Sequence, residues 1–215
     1  MKKYLIVANG EFPTRPETLE LLQEADYIVC CDGAIKSLDL RGITPNYIIG
    51  DLDSIEPAMR VKYAEIIHHS ADQETNDLTK AFNHCLSVIE TTVDTQIYII
   101  AATGYREDHT LGNISLLSDY QLRHPKTEMI TDYGIFRAYN NSFTKEEAIG
   151  THISIFAYDP TLTIESQGLQ YPTDKVVFDR WWKATLNKTQ ESCYSLTLSH
   201  PSSILVFTNF VNLQP

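Results

Sequence analysis

Four short segments of this 215-residue chain carry charged side chains at spacings that suit work on phosphates. The most informative reads Ile48-Ile49-Gly50-Asp51-Leu52-Asp53-Ser54. In an extended chain, residues two apart share a face, so Asp51 and Asp53 are expected to point the same way. Two carboxylates that close repel each other unless a cation lies between them. Mg²⁺ is the natural occupant, because it takes oxygen ligands, keeps several waters and completes its shell with phosphate oxygens. The plain alternative is a solvated acidic loop. An apolar run feeding straight into Asp-x-Asp counts against that alternative.

The other three segments are weaker alone. Asp32-Gly33-Ala34 follows an apolar run, and its Gly permits close backbone approach ahead of a helix. In Asp72-Gln73-Glu74-Thr75-Asn76-Asp77-Leu78-Thr79-Lys80, Thr75 is expected to cap a helix, with Asn76 and Asp77 in its first turn. Asp77 then either complements the helix dipole or, three residues from Lys80, presents a metal ligand and a cation on one side. In Ala101-Ala102-Thr103-Gly104-Tyr105-Arg106-Glu107-Asp108-His109-Thr110, Arg106 can grip phosphate bidentately ahead of a helix capped by Asp108. A lone His109 would more often be a packing or surface residue, and the seven histidines show no zinc spacing. Neither a Walker A loop nor a GxGxxG is present. Phosphatases of the haloacid-dehalogenase type also place Asp-x-Asp after an apolar strand, but after the first strand, whereas here it follows the third.

The elements that must position these residues come in two grammars. Up to about Thr131, apolar runs (Tyr4–Ala8, Tyr27–Cys31, Tyr47–Ile49, a weak Ile66–Ile67, Ile97–Ala101, Glu128–Thr131) alternate with amphipathic stretches. Those stretches are Glu17–Ala25, the short Ala34–Leu40, Thr75–Ile89, and Asp108–Leu122 with Leu111, Ile114 and Leu117 as its apolar face. Such alternation implies an α/β domain, residues 1–133, with a mostly parallel sheet. In open sheets of this kind ligands bind beyond the carboxyl ends of the strands, where all four segments fall. From residue 134 to 215 the period becomes two: Thr151–Tyr158, Thr161–Ser166, Ser192–Ser199 and Ser203–Phe210. This second part reads as an antiparallel β-sandwich domain.

Bulk properties narrow the partners. With a formal net charge of −11, the chain is a poor ligand for nucleic acid or an anionic membrane. It can still bind a nucleotide if a divalent cation intervenes. The four cysteines form no CxxC, and adjacent strand residues Cys30 and Cys31 face opposite ways, so free thiols in a reducing, cytoplasmic setting are expected. The apolar stretch after Met1-Lys2-Lys3 is too short for a signal sequence, and nothing approaches a membrane span of about 20 apolar residues.

Taken together, the segments resemble the thiamine pyrophosphokinase family. Its pattern has Asp-Gly-Ala, Gly-Asp-x-Asp-Ser, Gln-x-x-x-Asp-x-x-Lys and Arg-x-Asp-His-Thr-Leu-x-Asn in this order. Here they stand as Asp32-Gly33-Ala34, Gly50 to Ser54, Gln73 to Lys80, and Arg106 to Asn113. The resemblance implies a homodimer with ATP and Mg²⁺ on the α/β domain, and thiamine between that domain and the partner's β-sandwich. By position it makes Asp51, Asp53 and Asp77 the Mg²⁺ ligands. It makes Gln73, Thr75, Lys80, Arg106, Asp108 and His109 nucleotide contacts, with Asp32 in the same cleft. The reaction implied is attack of the thiamine hydroxyl on the β-phosphorus of ATP, served by Asp51, Asp53, Asp77, Lys80 and Arg106.

The chain also departs from the pattern. Ala101 and Tyr105 replace glycines of the family's Gly-Ala-Thr-Gly-Gly-Arg loop. Gly168-Leu169-Gln170-Tyr171-Pro172 matches, but the family's Ser-Asn pair appears within Ala184-Thr185-Leu186-Asn187, leaving Thr185 and Asn187 as the thiamine contacts. That departure keeps open a related pyrophosphokinase acting on another alcohol, such as a hydroxymethyl pterin. A non-catalytic binder of thiamine or its diphosphate is the other alternative, against which the full acidic set argues.

Overall fold

The computed structural model describes residues 1–210 apart from 71, 73, 91 and 92. The chain divides into two compact units, one of Met1–Leu116 with Met129–Asp132, the other of Leu117–Glu128 with the described chain from Tyr133 onward.

In the first unit β1 (Lys2–Val7), β2 (Tyr27–Cys31), β3 (Tyr47–Gly50), β4 (Ile67–His69) and β5 (Thr95–Ile100) form a parallel array. The order is β5-β1-β2-β3-β4. Tyr4–Val7 and Ile28–Cys31 are buried throughout, as strands covered on both faces must be. Because β5 lies on the opposite side of β1 from β2, the strand order reverses at β1. Chains leaving β1 and β5 diverge there and open a crevice at their carboxyl ends. The helices are α1 (Pro16–Glu24), α2 (Ile35–Asp39), α3 (Pro57–Lys62), α4 (Asp77–Val88) and α5 (Glu107–Arg123). α4 turns Leu78, Ala81, Phe82 and Cys85 inward at spacings of three and four.

Three expectations need correction here. α3 is absent from the sequence reading because it buries no residue, so no apolar period marks it. The cap of α4 is Asn76, whose side chain accepts from the Thr79 backbone N–H at 2.9 Å, and not Thr75. α5 begins at Glu107, so Asp108 lies inside the first turn; of the expected apolar face Leu117 is buried, together with Tyr120, while Leu111 is 54% exposed.

The second unit holds the end of α5, the start of β6 (Thr127–Ile130) and two antiparallel sheets. One runs β11-β9-β13-β7, built from Asn187–Lys188, His152–Ala157, Ile204–Asn209 and Gly134–Tyr139. The other runs β10-β12-β8, from Ile164–Gln167, Cys193–Leu198 and Phe143–Glu146. Ile153 and Ile155 of β9, Ile204 and Val206 of β13, and Tyr194 and Leu196 of β12 meet in one apolar core. Each pair is two residues apart, which is the period of a half-buried strand. β7, β8 and β11 were not legible: β7 has no clean alternation, β8 is a short polar edge, and β11 has two residues. All four cysteines are free thiols. No helix among the described residues is long and apolar enough to cross a membrane.

Candidate active site

Beyond the carboxyl ends of β2 and β3 the chain gathers its carboxylates. Asp32 opens the turn after β2 and is only 3% exposed. One of its oxygens accepts the Gly33 N–H at 2.5 Å and the other the Leu52 N–H at 3.0 Å, so it ties two loops together. Gly50 makes room for it, since a Cβ there would fall 2.6 Å from the Asp32 carboxyl carbon. Leu52 has φ of 69°, so Asp51 and Asp53 do not lie on an extended strand as the sequence suggested. They are folded towards each other by a left-handed turn, with the Asp53 N–H donating to Asp51 at 3.2 Å. One oxygen each of Asp32, Asp51 and Asp53 lies within 4.8 Å of the others.

The electrostatics follow from this crowding. Burial, then the nearby charge of Asp77, push the Asp32 carboxyl up to about 6, against the pull of its two backbone N–H donors. Asp51 is held below the usual carboxylate range, chiefly by the Asp53 N–H. An all-oxygen donor set with a buried, ionisation-resisting carboxylate suits a hard divalent cation, which would relieve the repulsion.

Asp77 stands apart from that trio. It accepts from the Lys80 ammonium at 2.9 Å across the expected i, i+3 spacing. The Lys80 side chain is 7% exposed. Burial acts to lower its pKa, but the hydrogen bond it donates to Asp77 and the charges of Asp77, Asp51 and Asp72 outweigh this and raise it. Lys80 is thus a buried cation held charged by three carboxylates. The Thr75 hydroxyl donates to Asp72, which also accepts the Glu74 N–H at 2.9 Å. Gln73 lies outside the described residues.

At the head of α5, Arg106 is clasped bidentately by Asp108, at 3.1 and 2.6 Å. Asp108 is pulled down to about 2, first by Arg106, with the His109 N–H donating as well. His109 borders a cleft of about 240 Å³ together with Asn9, Asp32, Asn76, Asp77 and Asn113. Asn113 donates to the Ala102 carbonyl at 2.8 Å and accepts from Asn76 at 3.2 Å. These three asparagines were missed as site residues. Asn113 was detectable, because it lies four residues after His109 on the same helix face. Asn9 carried no local signal.

In the second unit Thr185 and Asn187 line a small pocket of about 110 Å³ with Tyr171, Pro172 and Ala184. Their polar atoms are committed locally. The Thr185 hydroxyl donates to the Trp182 carbonyl at 2.8 Å. Asn187 accepts from the Tyr171 and Lys188 N–H groups and donates to the Tyr171 carbonyl at 2.6 Å.

Comparison with known proteins gives a consistent result. Residues 18–131, just over half of the chain, match the family described as "Thiamin pyrophosphokinase, catalytic domain". Residues 134–207 match "Thiamin pyrophosphokinase, substrate-binding domain". Among curated relatives, thiamine pyrophosphokinase 3 of Oryza sativa subsp. japonica is 32% identical over 148 residues, covering 62% of this chain and 54% of that protein. Thiamin pyrophosphokinase 1 of Caenorhabditis elegans is 31% identical over 115 residues, covering 51% and 47%. The chain spans about half the length of these relatives. A thiamin pyrophosphokinase from Candida albicans aligns over 97% of this chain and 89% of its own, with TM-score 0.77 at 19% identity. One from Bacillus subtilis aligns over 99% and 100%, with TM-score 0.77 at 21% identity. These two likenesses speak to the fold.

Proposed function

Since the chain belongs to the thiamin pyrophosphokinase family, we propose that it transfers the terminal pyrophosphate of ATP to the hydroxyl of thiamine. The products are thiamine diphosphate and AMP. The observation that carries this reading is the gathering of Asp32, Asp51 and Asp53 within 4.8 Å, beside a buried Lys80 that is kept charged.

In the proposed step the thiamine hydroxyl oxygen forms a bond to the β-phosphorus and its proton is released to solvent, the bond from that phosphorus to the α–β bridging oxygen breaks, and AMP leaves with the electron pair. Asp51 and Asp53, with Asp32 beside them, would hold Mg²⁺, and Asp77, which the resemblance adds to the ligand set, would reach it by releasing Lys80. Mg²⁺ supplies charge neutralisation on the phosphoryl oxygens. Lys80 places a fixed positive charge on the same side as Asp77, and its burial makes that charge worth more than one in water. Arg106 offers a planar fork to phosphate once Asp108 yields it. His109, Thr75 and Gln73 are assigned to nucleotide contacts on the same reading. We further propose a homodimer, checked by light scattering, and a cytoplasmic site of action, in keeping with four unpaired thiols.

The test is product analysis with purified protein, ATP, Mg²⁺ and thiamine. AMP and thiamine diphosphate should appear together and stop with EDTA. Asp51→Asn should abolish both while leaving the fold intact; near-normal turnover in that variant would overturn the assigned role. The committed side chains of Thr185 and Asn187 favour a second reading, in which a different alcohol is the acceptor. It predicts AMP release with that alcohol and none with thiamine.

A further inference from the structure

Tyr105 is held at φ of 57° in the loop between β5 and α5, following Gly104 at 81°. A side chain is disfavoured in this region, and glycine enters it freely. Tyr105 is 76% exposed, so little burial offsets the cost. It forms one wall of an open groove of about 460 Å³ lined by Gly104, Arg106, Glu107, Thr110 and Leu111. Leu111, more than half exposed, supplies a second apolar face across the first turn of α5. The groove and the acidic cleft flank the same helix head, with Thr110 on the groove and His109 on the cleft. Arg106, the guanidinium assigned to phosphate, is part of the groove wall.

We propose that this groove is the nucleobase subsite of the nucleotide co-substrate, with Tyr105 as its stacking platform. The inference rests on the phosphate site proposed above. A nucleotide whose phosphates reach Arg106 and the α5 head has its base beside Tyr105 and Leu111. Stacking reads the area of a π face more than its hydrogen-bonding edge, so the subsite takes purines over pyrimidines and discriminates little between adenine and guanine. A strained, exposed tyrosine is then a specificity-determining residue, which places a rigid ring at the edge of the phosphate site.

The experiment compares calorimetric binding of Mg-ATP and of inorganic tripolyphosphate, which has no base, to wild type, Tyr105→Gly and Tyr105→Phe. Tyr105→Gly should weaken ATP about tenfold, the scale of one lost base–aromatic stack. It should leave tripolyphosphate unchanged, while Tyr105→Phe keeps wild-type affinity for both. Thermal stability should not fall in Tyr105→Gly, since the strain is removed. Equal ATP affinity in all three proteins, or an equal loss for ATP and tripolyphosphate, overturns the subsite. If that happens while thiamine-dependent AMP release persists, the pyrophosphate-transfer reading stands alone. If wild type neither binds ATP nor releases AMP, both fall. If Tyr105→Gly dissociates the protein on a sizing column with ATP affinity intact, Tyr105 is a contact between copies and the subsite is refuted.

Discussion

Asp32→Asn separates the electrostatic cost of the carboxylate cluster from its geometry. In the fold the Asp32 carboxyl is raised from 3.8 to about 6, so the folded protein holds this proton more tightly than the unfolded chain. Below about pH 3 both states are protonated and the aspartate costs nothing. As pH rises through about 6 the folded state must ionise a buried group, and stability is lost. At about 1.4 kcal/mol per pK unit, a shift of roughly two units amounts to about 3 kcal/mol, constant above the folded pKa. Asparagine has no such dependence. It can accept only one of the two N–H groups that Asp32 accepts, a loss on the order of 1–2 kcal/mol that does not vary with pH. The stability difference between variant and wild type should therefore swing by about 2.5 kcal/mol in the variant's favour between about pH 4 and about pH 7.5. Urea unfolding in EDTA, followed by the far-ultraviolet helix signal, measures it. That signal is the right probe, because α1 to α4 lie wholly in the first unit, whereas Trp181 and Trp182 lie in the second. A difference flat to within about 0.5 kcal/mol over this range would refute the account of Asp32 as a buried carboxylate under strain.

Three further outcomes are expected. Gly50→Ala forces a Cβ to 2.6 Å from the Asp32 carboxyl carbon, and should cost about 1–3 kcal/mol in chemical denaturation while lowering Mg²⁺-dependent turnover. Lys80→Met removes the buried cation facing Asp77, Asp51 and Asp72 and should lower kcat by about 10²–10³ in steady-state assays. Ala101→Gly relieves a φ of 53° and should raise stability by about 1 kcal/mol, seen as a higher Tm.

Much of the first unit was legible because buried parallel strands and an amphipathic helix write their periods directly into the sequence. Tyr27–Cys31 matches its strand residue for residue, and α4 buries Leu78, Ala81, Phe82 and Cys85 as its spacing requires. The pairing of Asp77 with Lys80 follows from helix geometry alone. What sequence did not disclose was set by tertiary contact. Nothing local distinguishes Asp32 as the buried member of the carboxylate trio, since its burial depends on the Leu52 turn and on the missing side chain of Gly50. The extended reading of Asp51-Leu52-Asp53 failed for a related reason, because an apolar residue at positive φ leaves no mark in composition. Likewise β8 shows little pattern, because an edge strand answers to one neighbour only.

The asparagines around the cleft form a frame whose chemistry differs from that of the groups they surround. Asn113 spends its amide hydrogens on the Ala102 carbonyl and its oxygen on Asn76, whose own oxygen caps α4. Carboxamides neither gain nor lose protons across the range in which proteins survive, so these links keep the same donors and acceptors whatever the acidity. The cleft thus separates shape from charge. The part of its outline set by Asn76 and Asn113 is written in groups that do not titrate, while Asp32 and Asp77 carry charge beside them. The links are also directional: an aspartate at position 113 would match the shape and yet set oxygen against the Ala102 oxygen. A site built this way can change its charge state without changing its outline.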